Sequence, residues 1–197
     1  MISLLARRGK APSTSSVRRA EQFARSKHRH MVRKDGKTLY WVHLQQVVDN
    51  LSRIGIKDTE ILCAGWLHDT IEDTDTDYDE LKENFGERVA RIVAQVTKDK
   101  TLPETEREQK FCDKLSTASW DAMAVKLCDL WANMADIQSG YQDRIAREQQ
   151  IGKKLRYFNS IRKGLVQNSP KIPGLAKCID EINEILKRYE FAPVSLI

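Results

Sequence analysis

The chain repeats apolar residues at intervals of three and four positions, with polar and charged residues between them. In the stretch 44–51 the apolar residues fall at positions i, i+3, i+4 and i+7, and the stretch 61–68 shows the same spacing. Such a pattern places apolar side chains on one face of an α-helix. The sequence therefore predicts one helix that stops near Gly55 and a second that is capped by Asp58 and Thr59.

The same pattern predicts helices along the rest of the chain. Glycines, prolines and acidic clusters separate the periodic stretches and mark the turns, and Asp35–Gly36 predicts a turn in the basic segment 33–38. Further helices are expected at about residues 16–28, 78–84, 87–96, 104–117, 120–138, 142–166 and 174–190.

The composition agrees with a helical protein. The 197 residues include only 9 Gly and 5 Pro, too few turn formers for a β-rich fold, and 41% are hydrophobic, enough for a sizeable core. This length fits one domain. We expect an all-α fold in which residues 16–197 form a single orthogonal bundle of roughly eight helices.

The net charge of +5 is concentrated at the N-terminus. Residues 1–20 contain five basic residues and no acidic one, so the rest of the chain is balanced. Residues 1–15 are expected to form a basic disordered arm. A positive surplus favours an anionic partner. Because the arm accounts for all of it, nucleic acid is not expected as the main partner of the folded part.

Cysteine spacing and the length of apolar runs indicate the cellular location of the protein. The chain has four cysteines, Cys63, Cys112, Cys128 and Cys178; they form no C-x-x-C pair, and three of them lie in apolar helical stretches. We interpret them as small core residues of a protein in a reducing compartment. No apolar run of ~18 residues is present, so no membrane span is predicted. The expected location is cytoplasmic.

The segment 65–73 places four side chains that bind metals or carry protons among apolar neighbours. His68 and Asp69 are adjacent, and Glu72 and Asp73 follow one helical turn later. A carboxylate near a core is costly unless it is paired or bound to a metal. The segment therefore predicts a metal centre with acids beside it, a combination that is typical of hydrolysis.

Two further ligands are expected from other helices. His43 follows Tyr40 and Trp41 at the start of a helix, and Asp129 interrupts an apolar face that it shares with Asn133. A lone buried histidine is more often a core residue than a ligand, so the prediction depends on all four together. Two imidazoles and two carboxylates suit manganese, iron, zinc or nickel better than magnesium or calcium.

The ordered series of H, HD and D resembles the signature of the HD phosphohydrolase superfamily. Longer blocks resemble the hydrolase domains of Rel/Spo-type alarmone enzymes, above all their small stand-alone members that lack a synthetase domain. These blocks are R-K-D-G-K-T-L-Y-W-V-H at 33–43, H-D-T-I-E-D-T at 68–74, F-G-E-R-V-A at 85–90, V-T-K-D-K at 96–100 and K-L-C-D-L-W-A-N-M at 126–134. The resemblance covers about residues 20–166 and implies an HD-type helical bundle.

The resemblance also implies a role for each candidate residue. It implies four ligands for one manganese(II) ion: His43, His68, Asp69 and Asp129. It implies two acids for the attacking water and the proton transfers: Glu72 and Asp73. It implies three contacts to the nucleotide: Arg33, Lys34 and Asn133. The implied reaction removes the 3′-pyrophosphate of the guanine nucleotide (p)ppGpp and gives GDP or GTP plus pyrophosphate.

Two other functions fit the same residues. One is an HD phosphohydrolase that acts on another nucleotide or on a phosphorylated dinucleotide. Leu39 and Leu44 replace prolines of the family pattern, which affects the nucleotide pocket and leaves the metal ligands intact. The other is a nucleotide- or nucleic-acid-binding module without catalysis, which the basic arm suggests. The intact Glu72–Asp73 pair argues against a pure binder. A homo-oligomer is compatible with each function.

Overall fold

The computed structural model describes residues 14–196. Residues 1–13 of the predicted basic arm lie outside the described residues. The α-helices of the described part are α1 (Thr14–Lys27), α2 (Trp41–Arg53), α3 (Thr59–Leu67), α4 (Thr70–Asp73), α5 (Tyr78–Phe85), α6 (Glu87–Val96), α7 (Glu104–Ser116), α8 (Trp120–Ala135), α9 (Ile137–Gly140), α10 (Arg144–Gln167) and α11 (Leu175–Arg188). A 3₁₀ turn at Ser169–Lys171 separates α10 from α11.

The all-α prediction is confirmed. Within residues 14–196, β-pairing is limited to a single antiparallel bridge between Val32 and Leu39. Eleven helices exceed the roughly eight that were expected, but α4 and α9 are four-residue turns. The expected helix over 120–138 is divided at Asp136. The Asp136 carboxylate accepts a hydrogen bond from the Gln46 side chain of α2 at 3.4 Å.

Helix α8 forms the centre of the bundle. It contacts α2, α3, α6, α10 and α11, and nearly all of its side chains are buried. The burial includes the polar side chains of Asp121, Lys126 and Asp129. Buried charges require partners, so α8 brings polar groups into the core that neighbouring helices must satisfy.

Helices α2 and α3 pack unusually closely because Gly65 lies where they meet. A Cβ atom on Gly65 would come within 2.7 Å of Leu51 Cδ1 and 3.1 Å of Val48 Cγ2. The absence of a side chain lets α3 approach α2. Since His43 lies near the start of α2 and His68 directly follows α3, this contact helps to bring the two histidines together.

The predicted turn in segment 33–38 is confirmed. The Asp35 carboxylate accepts hydrogen bonds from the backbone N–H groups of Lys37 and Thr38 and from the Thr38 hydroxyl. These bonds, led by that from the hydroxyl, lower the pKa of Asp35 to about 2. Gly36 has φ +72°, a backbone conformation that suits glycine. The turn holds Arg33 and Lys34 just before α2.

The cysteine prediction agrees with the structure. All four cysteines are free, and Cys63, Cys128 and Cys178 are buried while Cys112 is half-buried. Burial raises the pKa of the Cys63 and Cys178 thiols to about 12, which suits apolar core positions. None of the helices between residues 14 and 196 combines the length and the apolar character that a membrane-spanning segment needs.

Candidate active site

The structure brings the four predicted metal ligands together. His43 Nε2 lies 3.2 Å from Asp129 Oδ1 and 3.6 Å from Asp69 Oδ2. His68 Nε2 lies 3.1 Å from Asp69 Oδ2 and 3.6 Å from Asp129 Oδ1. Both imidazoles and Asp129 are almost fully buried. Side chains that are up to 86 positions apart in the sequence therefore converge on one point.

Each ligand comes from a defined element. His43 lies in the first turn of α2, and Asp129 lies in the second half of α8. Helix α3 ends at Leu67, His68 is its C-cap, and Asp69 is the N-cap of α4. As the C-cap of α3, His68 keeps helical backbone dihedrals, with φ −58° and ψ −27°. At this junction the side chains of His68 and Asp69 approach each other, with Nε2 3.1 Å from Oδ2.

The geometry of the cluster fits one metal ion. Atoms bonded to a common ion at ~2.1 Å lie ~3.0–3.4 Å apart when the bond angles are 90–109°. Two of the four distances between the imidazole nitrogens and the carboxylate oxygens, 3.1 and 3.2 Å, lie in this range, and the other two, both 3.6 Å, lie just above it. His68 Nε2 is buried, and its polar neighbours are carboxylate oxygens of Asp69 at 3.1 Å and Asp129 at 3.6 Å. Two carboxylates in such a buried position are unfavourable unless positive charge lies between them, either as a proton on the imidazole or as a metal ion.

The ring orientation of His68 also suits a metal ligand. Its Nδ1 lies 2.8 Å from the carbonyl oxygen of Gly65, to which it donates a hydrogen bond. That bond directs Nε2 towards Asp69 and Asp129. A metal-binding histidine commonly fixes its tautomer by donating from the other ring nitrogen. His43 differs, because its Nδ1 is buried without a partner among the residues described.

Electrostatics hold both carboxylates of the cluster ionised. Burial alone would raise the pKa of Asp129, but Lys126 and the two imidazoles outweigh it and keep that pKa well below its usual range. Burial likewise opposes the charge of Asp69, and His68 outweighs it and lowers the pKa. Burial disfavours the charge of His68, yet Asp69 and Asp129 raise its pKa to about 10. A metal ion that binds through His68 must therefore displace a proton.

The orientation of Asp129 is fixed by its own helix. Lys126 Nζ donates to Asp129 Oδ2 at 2.7 Å, and the Asn133 side-chain amide donates to Asp129 Oδ1. These residues lie one turn before and one turn after Asp129, on the same face of α8. Asn133 was predicted as a nucleotide contact. The structure shows that it also supports a predicted metal ligand.

The predicted acids lie beside the cluster in α4. Glu72 Oε2 accepts the backbone N–H of Lys98 at 2.9 Å, and the Lys98 ammonium lies 3.8 Å from Glu72 Oε1. Asp73 Oδ1 pairs with Lys100 at 2.6 Å. The backbone N–H of Asp73 bonds to the carbonyl of Asp69, so the expected spacing of one helical turn is present.

Tyr40 connects the cluster to the acids, a role that the sequence reasoning missed. Its hydroxyl lies 2.8 Å from Asp69 Oδ2 and 2.9 Å from Asp73 Oδ2. Burial, and then the two carboxylates, raise the pKa of Tyr40, so the hydroxyl stays protonated and can donate. The tyrosine stands three residues before His43 in the first motif block, but the sequence alone does not show which way its hydroxyl points.

The Tyr40 ring is held from α1. It stacks on His28 with ring centroids 4.9 Å apart and an angle of 6° between the planes. His28 is fully buried, and its Nδ1 donates to the Ala24 carbonyl at 2.9 Å. A chain of contacts therefore runs from α1 through His28 and Tyr40 to Asp69 and Asp73.

The predicted nucleotide contacts lie near the same centre. Arg33 donates to the Asn133 side-chain oxygen at 3.0 Å and lies 3.4 Å from Asp136 Oδ2. Lys34 is exposed, contacts the Tyr141 hydroxyl and lies 4.4 Å from the centre of that ring. The first motif block is thus folded against the end of α8 and the segment that follows it.

Most of these groups line one cavity of about 670 Å³. Eight of the nine predicted site residues line it, and His68 lies buried beneath it. The lining also includes lysines that the sequence reasoning did not single out: Lys98, Lys126, Lys153 and Lys154. A cavity of this size suits a small ligand, and its walls carry acidic and basic groups together.

Comparisons with known proteins agree with this arrangement. The chain matches the family model of the HD domain over residues 20–151. The chain belongs to the HD domain family. The matched HD domain region contains α2, α3 and α8, and with them every residue of the predicted metal cluster and both predicted acids.

Three relatives of this HD domain are named for the same activity. Guanosine-3′,5′-bis(diphosphate) 3′-pyrophosphohydrolase MESH1 of Xenopus tropicalis is 38% identical over 168 residues, which cover 80% of this chain and 94% of the relative. MESH1 of Homo sapiens is 43% identical over 120 residues, which cover 60% of this chain and 67% of the relative. The guanosine-3′,5′-bis(diphosphate) 3′-pyrophosphohydrolase of Aquifex aeolicus is 36% identical over 138 residues, but these span only 20% of that longer protein.

A solved structure has the same architecture. A metazoan orthologue of SpoT that hydrolyses ppGpp aligns with a TM-score of 0.79 and 28% sequence identity, and the alignment covers 93% of this chain and 100% of that one. The HD-type helical bundle that the sequence resemblance implied is therefore confirmed, as is the similarity to the stand-alone alarmone hydrolases.

Proposed function

We propose that the protein is a metal-dependent hydrolase that removes the 3′-pyrophosphate of (p)ppGpp, with manganese(II) as its metal. The observation that carries the proposal is the cluster of His43, His68 and Asp69, in which both imidazoles are buried and also lie within 3.6 Å of Asp129. The cluster adjoins the cavity that Glu72 and Asp73 line. The activity for which the relatives are named supplies the substrate class.

The proposed ligands are His43, His68, Asp69 and Asp129. A bound divalent ion supplies polarisation of a phosphoryl oxygen and a lower pKa for a water molecule. A set of two nitrogens and two oxygens is of intermediate softness and leaves room in the coordination sphere for substrate, which favours manganese over magnesium or calcium. Lys126 and Asn133 fix the orientation of Asp129, which would help to hold the ion.

Glu72 is better placed than Asp73 to take a proton from the attacking water. The only cation near Glu72 Oε1 among the residues described is the Lys98 ammonium at 3.8 Å, whereas Lys100 and Tyr40 already bond to both oxygens of Asp73. In the proposed reaction the water oxygen joins the phosphorus as the bond from that phosphorus to the 3′ oxygen breaks. The 3′ oxygen takes up a proton, which Glu72 can return.

Arg33 and Lys34 are proposed to bind phosphate oxygens of the nucleotide. A guanidinium presents parallel N–H donors that suit a phosphate. Arg33 already donates to Asn133, and Asn133 donates to Asp129. A nucleotide contact at Arg33 would therefore lie two hydrogen bonds away from a proposed metal ligand.

The direct test is product identification. Protein reconstituted with manganese should convert ppGpp into GDP and pyrophosphate in equal amounts. Asp69→Ala should lose both the bound metal and the activity, while Asp180→Ala, which removes an exposed acid from α11, should retain both. Release of orthophosphate instead of pyrophosphate, or no turnover of ppGpp by metal-loaded protein, would reject the proposed substrate.

The choice of metal is tested separately. Apoprotein reconstituted in parallel with manganese, zinc or magnesium should be most active with manganese. Equal activity with magnesium would contradict the manganese assignment. It would not affect the reaction assignment, which depends on the identity of the products.

The role of Glu72 is tested by Glu72→Gln. The amide keeps the size of the side chain but cannot accept the proton. We expect kcat to fall by about 10²–10⁴-fold, the range for loss of a general base, while metal content is unchanged. Loss of metal from this variant would instead place Glu72 among the ligands.

A further inference from the structure

Six cationic side chains line the cavity, and four of them already have carboxylate partners. The four pairs are Lys126 with Asp129 at 2.7 Å, Lys153 with Glu108 at 2.8 Å, Arg33 with Asp136 at 3.4 Å and Lys98 with Glu72 at 3.8 Å. Lys34 and Lys154 form no ion pair with any described residue. The uncompensated positive charge of the cavity is therefore confined to these two side chains.

Lys154 is the more informative of the two. It projects from α10 into the cavity and is half-buried. Its only polar contact within residues 14–196 is a long one of 3.4 Å to the side-chain oxygen of Gln150, one turn earlier on the same helix. A half-buried ammonium loses hydration, which normally requires an anionic partner. Lys154 has none within the protein, and it lies in none of the sequence blocks that the family resemblance uses.

Lys34 lies at the exposed rim of the same cavity. It contacts Tyr141, and its Cβ lies 3.5 Å from the position that a Cβ on Gly140 would occupy. The contact holds the turn at 33–38 against the segment that leads into α10. Lys34 and Lys154 therefore belong to two different parts of the chain that border one opening.

The surroundings of Lys154 are rich in positive charge. Burial is the largest influence on its pKa and, with the ammonium groups of Lys126, Lys34 and Lys98, lowers it to about 8, although Asp129 opposes the shift. An anion bound at Lys154 would relieve this repulsion and restore lost hydration. The charge pattern thus favours a ligand that brings negative charge of its own.

We propose that Lys154, together with Lys34, forms an anion subsite for the phosphates that the reaction does not cleave, namely the 5′-diphosphate of the nucleotide. The inference rests on the proposed function, which assigns the 3′-diphosphate to the metal centre. Neither lysine pairs with a proposed metal ligand, so both remain available to a second phosphate group. Lys154 then acts as a specificity determinant, because it makes substrate affinity depend on the number of 5′ phosphates.

The test uses three guanosine 3′-diphosphates that carry no phosphate, one phosphate or two phosphates at the 5′ position. For the wild-type enzyme with manganese, KM should fall as 5′ phosphates are added. Lys154→Met keeps the length of the side chain and removes its charge. It should raise KM for the 5′-diphosphate substrate by about tenfold, as expected for a lost charge-assisted contact. KM for the 5′-hydroxyl substrate and kcat for all three should stay unchanged.

Two matched variants accompany it. Lys154→Arg keeps the charge and should retain the dependence on 5′ phosphates. Lys163→Met removes an exposed lysine of the same helix that does not line the cavity, and it should behave like the wild type. An equal rise in KM for all three substrates, or no change in Lys154→Met, would overturn the proposal.

A binding measurement separates this inference from the proposed reaction. GDP keeps the 5′-diphosphate and lacks the 3′-diphosphate, so its affinity can be measured by calorimetry without turnover. The wild type should bind GDP more tightly than guanosine, and Lys154→Met should lose that difference. If ppGpp is not hydrolysed but this difference is seen, the proposed reaction fails and the subsite stands. If GDP and guanosine bind the wild type equally, the subsite is wrong even in an active enzyme.

Discussion

A single tyrosine hydroxyl orients two of the carboxylates in this centre. The Tyr40 hydroxyl lies between Asp69 Oδ2 and Asp73 Oδ2 and has one proton to donate. While it donates to Asp69, it fixes the orientation of a proposed metal ligand. While it donates to Asp73, it fixes a proposed acid. The stacking of its ring on His28 limits its freedom to leave either position.

Tyr40→Phe should therefore impair turnover without unfolding the protein. The phenyl ring keeps the stacking on His28, and only the hydroxyl is lost. A hydrogen bond to a charged group contributes about 1.5–3 kcal/mol. We expect kcat for pyrophosphate release to fall about tenfold or more, with metal content measured in the same samples.

Tyr78→Phe is the control for that substitution. Its hydroxyl bonds to Glu87 at the surface and has no contact with the cavity, so turnover should be unaffected. An unchanged kcat in Tyr40→Phe would show that the hydroxyl does not position the acids. A selective loss of metal would show that its main effect is on Asp69.

The lowered pKa of Lys154 predicts a pH effect on substrate capture. The ammonium is charged below pH about 8 and loses its charge as the pH rises through that value. Binding of an anion should weaken in the same direction, so kcat/KM for ppGpp should decline above pH about 8. Besides burial, the charges of Lys126, Lys34 and Lys98 lower this pKa, and the charge of Asp129 raises it.

The variant Lys154→Arg distinguishes the loss of charge at Lys154 from the titration of other groups. A guanidinium stays charged throughout the accessible range. The ratio of kcat/KM between wild type and Lys154→Arg should therefore fall between pH 7 and 9.5. Parallel profiles for the two proteins would assign the alkaline decline to another group.

At the scale of helices, periodicity predicted most elements and missed the breaks within them. Spacing of apolar residues located α2, α3 and α8 because each has residues that face the core. It did not show that α3 ends at Leu67, since the apolar pattern continues through His68. At this helix end the His68 ring donates to the Gly65 carbonyl three residues earlier, a local side-chain bond that apolar spacing does not reveal.

Arg88 holds three helices in register, and no local pattern could have identified it. From α6 it pairs with Asp58 at 2.7 Å and Glu60 at 2.8 Å near the start of α3, and with Asp121 at 3.1 Å near the start of α8. Asp121 is almost fully buried. Helices α3 and α8 lead to three of the four proposed metal ligands, so this ion pair network stabilises the frame of the site.

Arg88→Met should therefore destabilise the fold. The substitution leaves the Asp121 carboxylate buried without its cation, which costs about 3 kcal/mol. Urea unfolding at a fixed metal concentration should show that loss in the free energy of unfolding. Arg91→Met, which removes an exposed arginine from the same helix, should change it by less than about 0.5 kcal/mol. Equal stability of the two variants would show that the network contributes little.

For the molecule as a whole, the sequence predicted the proposed metal ligands but not the residues that orient them. The order of H, HD and D predicted four ligands whose side chains the structure brings together, because metal ligands are restricted to few residue types. The orienting groups Tyr40 and Lys126 and the unpaired Lys154 were not singled out. Their side chains are common ones, and their roles depend on distances across the fold that no spacing along the chain records.

The proposed centre should also act as a cross-link between distant parts of the chain. Its ligands come from α2, from the junction of α3 and α4, and from α8, so an ion bound there joins three elements. A ligand that binds only the folded state stabilises it by about 2.7 kcal/mol at 100 times its dissociation constant. For a protein of this size each kcal/mol shifts Tm by about 2–4 °C.

Removal of the metal by a chelator should thus lower Tm by roughly 5–10 °C relative to protein held at that metal concentration. Asp69→Ala lacks a ligand and should show a much smaller shift when chelator is added, whereas Asp180→Ala should respond like the wild type. Calorimetric scans with parallel metal analysis measure both quantities. A wild-type Tm that does not respond to chelation, in samples whose metal content has fallen, would mean that the ion is not held by these three elements together.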